Sequence, residues 1–213
     1  MRSPSSLESF GLARSWLSTC LKEHRHDQEH TLDVMPTRLI HVKSNVEGST
    51  DAHIVLSSDI GKAPYLTLSY CWGGDQESKT TNKSLLESQG VVVVSELPQT
   101  IIDAITVTIN MGYNHLWVDS ICIIQDNEED RTREIARMPA IYTNAVCSIA
   151  VSYPDNAREG FLGDRTRYTD RIMALQAKLT YNTIEQEAQW VHTIPIDDED
   201  LLFVEPLAER GWW

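Results

Sequence analysis

The sequence predicts an α/β protein, a parallel sheet with helices on both faces, preceded by an N-terminal helix and a β-hairpin. Three observations carry this. Between Tyr65 and Val151, apolar runs of strand length alternate with helical stripes in the order strand, helix, strand, helix, strand; that alternation suits a parallel sheet with right-handed crossovers. The apolar run Leu116-Trp117-Val118 leads straight into the polar turn Asp119-Ser120, the usual form of a strand end in such sheets. The chain has 213 residues, 41% hydrophobic and 23% charged, enough for one domain with a core and too little for a second full one.

Each element has its own signal. Leu7, Phe10, Leu12, Trp16, Leu17 and Leu21 recur at mostly helical spacing, which predicts an amphipathic helix over about Ser5 to Glu23. A polar linker follows, Lys22 to His30. Thr37 to Val42 and His53 to Leu56 read as strands joined by the turn-rich Ser44-Asn45-Val46-Glu47-Gly48-Ser49, a hairpin packed on the main unit. Tyr65 to Tyr70 is a strand ending at Cys71-Trp72-Gly73-Gly74-Asp75, where two glycines permit a tight turn and a close ligand approach. Val91 to Val94 is too short for a helix and reads as a strand.

Ile101, Ile102, Ile105 and Ile109 form a helical stripe, with Pro98 suited to the first turn and Gly112 to the stop. His115 to Val118 is the next strand. A second helix runs from about Glu128 to Tyr142, its first-turn acids Glu128, Glu129 and Asp130 opposing the positive end of the helix dipole. Pro139 removes a backbone donor inside it, which predicts a kink or an early end near Met138. Val146 to Val151 closes the unit, and further strands are expected at Ile172 to Leu179, Gln189 to Ile194 and Leu202 to Val204. The organisation expected is therefore a helix and linker over 1–36, a hairpin over 37–62 and the main domain over 63–213.

Composition excludes several functions. A formal net charge of −13 argues against duplex nucleic acid and anionic membrane surfaces, since both need a basic face. No apolar run reaches the roughly 18 residues of a membrane span, and the start Met1-Arg2-Ser3-Pro4 lacks a secretory core, so a cytoplasmic location is expected. Cys20, Cys71, Cys122 and Cys147 are dispersed and read as thiols of a reducing compartment rather than a disulfide framework. Cys20, His24, His26, Asp27 and His30 cluster as potential metal ligands, but the second pair is irregular for zinc; a polar helix end is the reading, with no metal. The final Trp212-Trp213 reads as a cut through a longer chain.

In an open α/β sheet the ligand crevice lies outside the carboxyl ends of the strands. Asp119, Ser120 and Gln125 are therefore ligand-facing candidates, although an Asp after a strand also serves as a turn residue bonding its own backbone. Trp117, mid-strand among apolar residues, reads as core. Cys122 has apolar neighbours, which raise a thiol pKa and count against a nucleophile.

Taken together, Tyr65 to Gly74, Leu97 to Ile105 and Leu116 to Asp126 resemble the heterokaryon incompatibility (HET) domain of filamentous fungi. The set Asp130, Glu134, Met138, Ile141-Tyr142 and Asn144-Ala145, and the final Pro206 to Trp212, resemble it too. Gly160-Phe161-Leu162 also fits. Arg131 stands where the family commonly has an aromatic, and Pro139 where it has small residues; both are expected to loosen the helix bearing Glu134. The resemblance implies an effector of non-self recognition, leading to growth arrest or programmed cell death, with protein partners of incompatibility signalling or a homo-oligomer.

The plan is also remotely similar to TIR domains, which implies a TIR/flavodoxin-like three-layer core and, by analogy, hydrolysis of NAD as substrate, with no bound cofactor. Cleavage between nicotinamide and ribose passes through an oxocarbenium-like state that a carboxylate stabilises. The likeness points first to Glu134 and then to Asp130, one turn earlier on the same face, as catalytic groups. It gives Ser69, Trp72, Gly73, Asp119 and Ser120 to ligand binding. The alternative is a non-enzymatic module that acts by assembly or by engaging a partner, or an inactive shortened paralogue.

Overall fold

The structure, a computed structural model, describes residues 3–23, 34–45, 49–152 and 154–163, with the backbone of four short strands between 173 and 193. Helix α1 (Leu7–Glu23) is followed by β1 (Arg38–Ser44), β2 (Thr50–Leu56) and the single turn α2 (Ser57–Ile60). Then come β3 (Leu66–Ser69), α3 (Asn82–Ser88), α4 (Gln99–Asn110), β4 (His115–Trp117), the short α5 (Asp119–Cys122), α6 (Glu128–Asn144) and β5 (Cys147–Ala150). These strands form one five-stranded sheet in the order β2-β1-β4-β3-β5.

β3 is the centre of the parallel part. It pairs in parallel with β4, Leu66 opposite Leu116, and with β5, Leu66 opposite Cys147. The chain moves from β3 through α4 to one neighbour, then from β4 through α6 to the other, so right-handed crossovers put the two helices on opposite faces. The connections diverge at β3, and the carboxyl ends of β3 and β5 form the switch point where such sheets bind ligands.

The α/β class and the N-terminal helix match the expectation, and two details differ. The hairpin is hydrogen-bonded into the sheet through β1, antiparallel to β4 with Ile40 opposite Leu116, so the sheet is mixed. Val91 to Val94 is not a strand. It makes a single bridge to His53, donates from the Val92 amide to the Ala52 carbonyl, and turns into a 3-10 helix at Val94–Glu96. That short run covers part of the exposed edge of β2, and the turn into the 3-10 helix ends the pairing.

The core lies on both faces of β3 and β4. Leu66, Leu68, Leu116 and Trp117 from the strands pack with Ile101 and Ile105 of α4 and Ile141 of α6, all at most 1% exposed. Each such burial stabilises by roughly 1.5–3 kcal/mol relative to exposure. Trp117 meets Tyr142 edge to face, with ring centroids 5.6 Å apart.

Helix α6 does not end at Met138. It continues through Pro139 to Asn144, and neither Pro139 nor Arg131 breaks it; Arg131 pairs with Glu128 at 2.5 Å on its exposed side. Tertiary contacts explain the continuation. The Tyr65 hydroxyl donates to the Ile141 carbonyl at 2.7 Å, the Tyr142 hydroxyl to the Leu68 carbonyl at 3.1 Å, and Ile141 is fully buried. These contacts offset the roughly 3 kcal/mol a proline costs inside a helix.

Beyond residue 163, β6 (Met173–Ala177) pairs antiparallel with β9 (Gln189–Thr193), where two of the later strands are expected, and β7 (Thr180–Tyr181) pairs with β8 (Ile184–Glu185). The strand expected at Leu202 to Val204, the His24 to His30 cluster and the terminal tryptophans lie outside the described residues. Among the described residues no helix is long and apolar enough to cross a membrane.

Because Pro139 is exposed and its helix is held by neighbours on the other side, Pro139→Ala is expected to raise the unfolding free energy by about 1–3 kcal/mol. Urea denaturation reads this directly. A loss of stability would mean that the helix is built around the proline ring.

Candidate functional site

At the switch point, Ser69 and Tyr70 at the end of β3, Ser148 and Ala150 on β5, Asp119 after β4, and Met138 and Tyr142 on α6 enclose a cavity of about 370 Å3. Ligand sites of this kind run from roughly 300 to 1,000 Å3. Asp119 is its carboxylate. Leu116 to Val118 are buried, so the chain leaves the sheet at Asp119, which is half-buried at the rim.

The Asp119 carboxylate is aimed by three contacts. The Trp72 indole N–H lies 3.1 and 3.0 Å from its two oxygens, and the Ser120 amide donates to Oδ1 at 2.7 Å. Behind it, Gln125 Nε2 donates to the Asp119 carbonyl at 2.9 Å and to the Ile123 carbonyl at 3.1 Å. Ser120 itself is fully buried, its hydroxyl 2.8 Å from that of Tyr70, and Tyr70 donates to Gln76 Oε1 at 3.3 Å. The strand-end turn is thus tied to the loop after β3.

Glu134 and Asp130 occupy a different place. Glu134 is fully buried; its Oε1 accepts from the Thr37 hydroxyl at 2.5 Å, from Arg133 at 3.3 Å and from Arg137 at 3.4 Å, and its Oε2 from the Thr37 amide at 3.4 Å. Asp130 is 4% exposed and pairs with Arg38 and Arg133. It also accepts from the Ile124 amide at 2.9 Å, while its own amide is capped by Asn127 at 3.0 Å. Arg38 Nε donates to the Cys122 carbonyl at 2.7 Å. Burial pushes the Asp130 carboxyl upward, but the Arg38 hydrogen bond, the Ile124 amide and the charges of Arg38 and Arg133 outweigh it, so the carboxyl is held below the usual carboxylate range. Both acids are engaged in fastening α6 to the start of β1 and to the turn after α5. Neither is among the residues lining the cavities described here.

A larger cavity, about 800 Å3, opens on the other side of Trp72 and is lined in part by Gly73, Gln76, Glu96 and Asn156. Gly73 has φ +72°, and a Cβ there would lie 2.2 Å from the Asn156 Cβ. The close approach that its glycine permits is therefore made by the 155–157 loop. Gly160 plays the same part against α4: at φ +73° its Cβ would meet Asp103 Oδ2 at 2.7 Å, and that oxygen accepts from the Phe161 and Leu162 amides at 2.6 and 2.9 Å.

The structure thus brings Ser69 and Asp119 to the smaller cavity and Gly73 to the larger, with Trp72 bonded to the first and lining the second. It places Ser120 beneath the site, and Glu134 and Asp130 in a separate buried cluster. Tyr70, Gln76, Met138, Tyr142 and Ser148 were not singled out by sequence as site residues; the position of Tyr70 one residue after a strand-end Ser was the available signal. Trp117 is core, as read. Burial pushes the Cys122 thiol up to about 12, which agrees with an inert cysteine. The four cysteines are free thiols. Among the described residues no group of three or more ligating side chains could hold a metal ion.

The sequence model of the family described as "Heterokaryon incompatibility protein (HET)" matches residues 65–213. No curated protein and no solved structure matches the chain.

The Asp130 pairing has a pH consequence. With its folded pKa below the unfolded value, its stabilisation is present above about pH 4 and is lost as pH falls through the folded pKa. Asp130→Asn leaves Arg38 buried without its counter-charge, and is expected to cost about 3–5 kcal/mol at pH 7 and to flatten the acid limb of the stability curve. Urea unfolding at several pH values checks both; an unchanged acid limb would show that other carboxylates carry it.

Proposed function

The chain belongs to the heterokaryon incompatibility family and has a role in heterokaryon incompatibility; on that premise we propose that it acts as an effector of growth arrest or cell death by hydrolysing NAD in the cavity beside Asp119. One observation carries the reading. A half-buried carboxylate, held on both oxygens by Trp72 Nε1, faces a cavity at the switch point of a parallel sheet, where nucleotide ligands of such folds sit.

The chemistry needs little more. The bond between ribose C1′ and the nicotinamide nitrogen breaks with its electron pair leaving on nicotinamide, so positive charge develops on the ribose. Asp119 opposes that charge across a site of low polarity, where a fixed carboxylate acts more strongly than in water. It also orients the water whose oxygen bonds to C1′ and accepts the proton the water loses, giving ADP-ribose and free nicotinamide. Tyr142 and Met138 form an apolar wall for the nicotinamide ring, and Ser69 offers a hydroxyl to ribose.

The sequence likeness pointed to Glu134 and Asp130 as the catalytic pair. Their enclosure by Thr37, Arg38, Arg133 and Arg137 supports a positioning role, exerted through α6 on Met138 and Tyr142. A second reading, a non-enzymatic module that acts by assembly, draws support from the exposed Leu7 and Trp16 of α1, 78% and 66% accessible.

Asp119→Asn keeps the shape of the site and is expected to abolish nicotinamide release from NAD, at least about 100-fold, with the melting temperature little changed. Glu134→Gln is expected to lower the melting temperature along with the rate. Full nicotinamide release by the Asp119 variant would sink the assignment. Absence of release by the wild-type chain, with toxicity intact in cells, would favour assembly.

A further inference from the structure

β1 and β4 meet over two residue pairs, Ile40 opposite Leu116 and His41 opposite His115, and this short seam joins the hairpin to the parallel strands. His115 opens β4, at the far end of that strand from Asp119, and neither histidine lines a cavity described above. Residues directly opposite each other in an antiparallel pair carry their side chains on the same face. The two half-buried imidazoles therefore stand side by side, their ring centroids 5.1 Å apart and their planes tilted by 50°.

His41 Nδ1 and His115 Nε2 are 3.3 Å apart. Two imidazole nitrogens on a tetrahedral zinc ion, each about 2.0–2.1 Å from the metal, are themselves separated by about 3.3–3.4 Å. The pair thus has the bite of a two-histidine chelate, and backbone pairing between the strands holds it there.

The protonation states suit a metal as well. Burial, and then the neighbouring His41, hold His115 below the usual imidazole range, while a hydrogen bond with the Pro64 backbone acts in the other direction. Proline has no N–H, so that bond is to its carbonyl. With Nε2 turned to His41, the donor is the Nδ1–H of His115, which leaves a lone pair on Nε2 of the neutral ring. A backbone carbonyl on the distal N–H is also the usual support of a metal-bound imidazole. In the metal-free pair His41 donates its Nδ1 proton to that lone pair. To bind a metal, neutral His41 needs only its other tautomer, with the proton on Nε2.

From this geometry we propose that His41 and His115 chelate a divalent transition-metal ion, of the zinc class, across the seam between β1 and β4. Water takes the remaining positions, since no group of three or more ligating side chains is present among the described residues. His53, opposite His41 on β2, is exposed in the same cross-strand row. Magnesium and calcium prefer oxygen ligands and are not expected here. A bound ion ties the hairpin to the parallel strands, close to where Arg38, the first residue of β1, pairs with Asp130 of α6.

Zinc titration of the full chain, followed by nitrogen-15 NMR of the histidine side chains, tests this. The ring nitrogens of His41 and His115 are expected to shift together at the first equivalent of zinc, and not to respond to magnesium. His41→Ala and His115→Ala are each expected to weaken that binding at least about tenfold, the least that loss of an outer-shell partner costs. Zinc should also raise the melting temperature of the wild-type chain and not that of the His41 variant. Should a variant fail to fold, the wild-type spectra decide. Zinc shifts confined to His24, His26 and His30, with His41 and His115 unmoved, overturn the proposal and leave the pair as a hydrogen bond. So does an affinity untouched by either substitution, or an equal response to magnesium.

Discussion

The buried ionic cluster at the start of α6 is the constraint on which the rest of the site depends. Asp130 and Glu134, one helical turn apart, accept from Arg38, Thr37, Arg133 and Arg137. Those partners come from two directions: Thr37 and Arg38 from the entry to β1, the other arginines from α6 itself. Arg38 also reaches the Cys122 carbonyl and Asp130 the Ile124 amide, so one cluster fixes the helix, the hairpin and the turn after β4 in mutual register. Buried charges are costly unless fully paired. Here all four carboxylate oxygens have a donor, and the position of α6 over the sheet follows from that geometry.

From that position the cavity follows. α6 presents Met138 and Tyr142 over the ends of β3 and β5, while α4 lies on the opposite face, and the smaller cavity opens at the switch point between them. Trp72 then crosses from the loop after β3 to hold Asp119 after β4. The same indole borders the larger, acidic cavity. A fold-level feature, the divergence of two crossovers, and one hydrogen-bonded pair between two loops define where the two cavities lie.

Much of this was legible in the sequence, for identifiable reasons. The alternation of Tyr65 to Tyr70, Ile101 to Ile109 and Leu116 to Val118 specified the sheet and its helices, since these segments are buried and their periods are clear. The separate blocks around Trp72 and Asp119 prove to be hydrogen-bonded partners, and the block containing Asp103 holds the Gly160-Phe161-Leu162 loop. What escaped was set by distant contacts. Glu134 among Arg131, Arg133 and Arg137 has the local pattern of a solvated helix face, and Thr37, almost a hundred positions away, helps to enclose it. Pro139 reads as a stop because the hydroxyl of Tyr65, which secures the helix end, carries no local signal. Val91 to Val94 has strand composition, yet the edge of β2 accepts only one bridge from it.

In the proposed division of labour among the acids, Glu134 and Asp130 hold the scaffold and Asp119 meets the ligand. Carboxyl-carbon NMR of aspartate and glutamate side chains, recorded while NAD is titrated into the Asp119 region of the intact protein, separates these roles most directly. The Asp119 carboxyl resonance is expected to move on addition of NAD while that of Glu134 stays in place. A shift at Glu134 with Asp119 unmoved would contradict it.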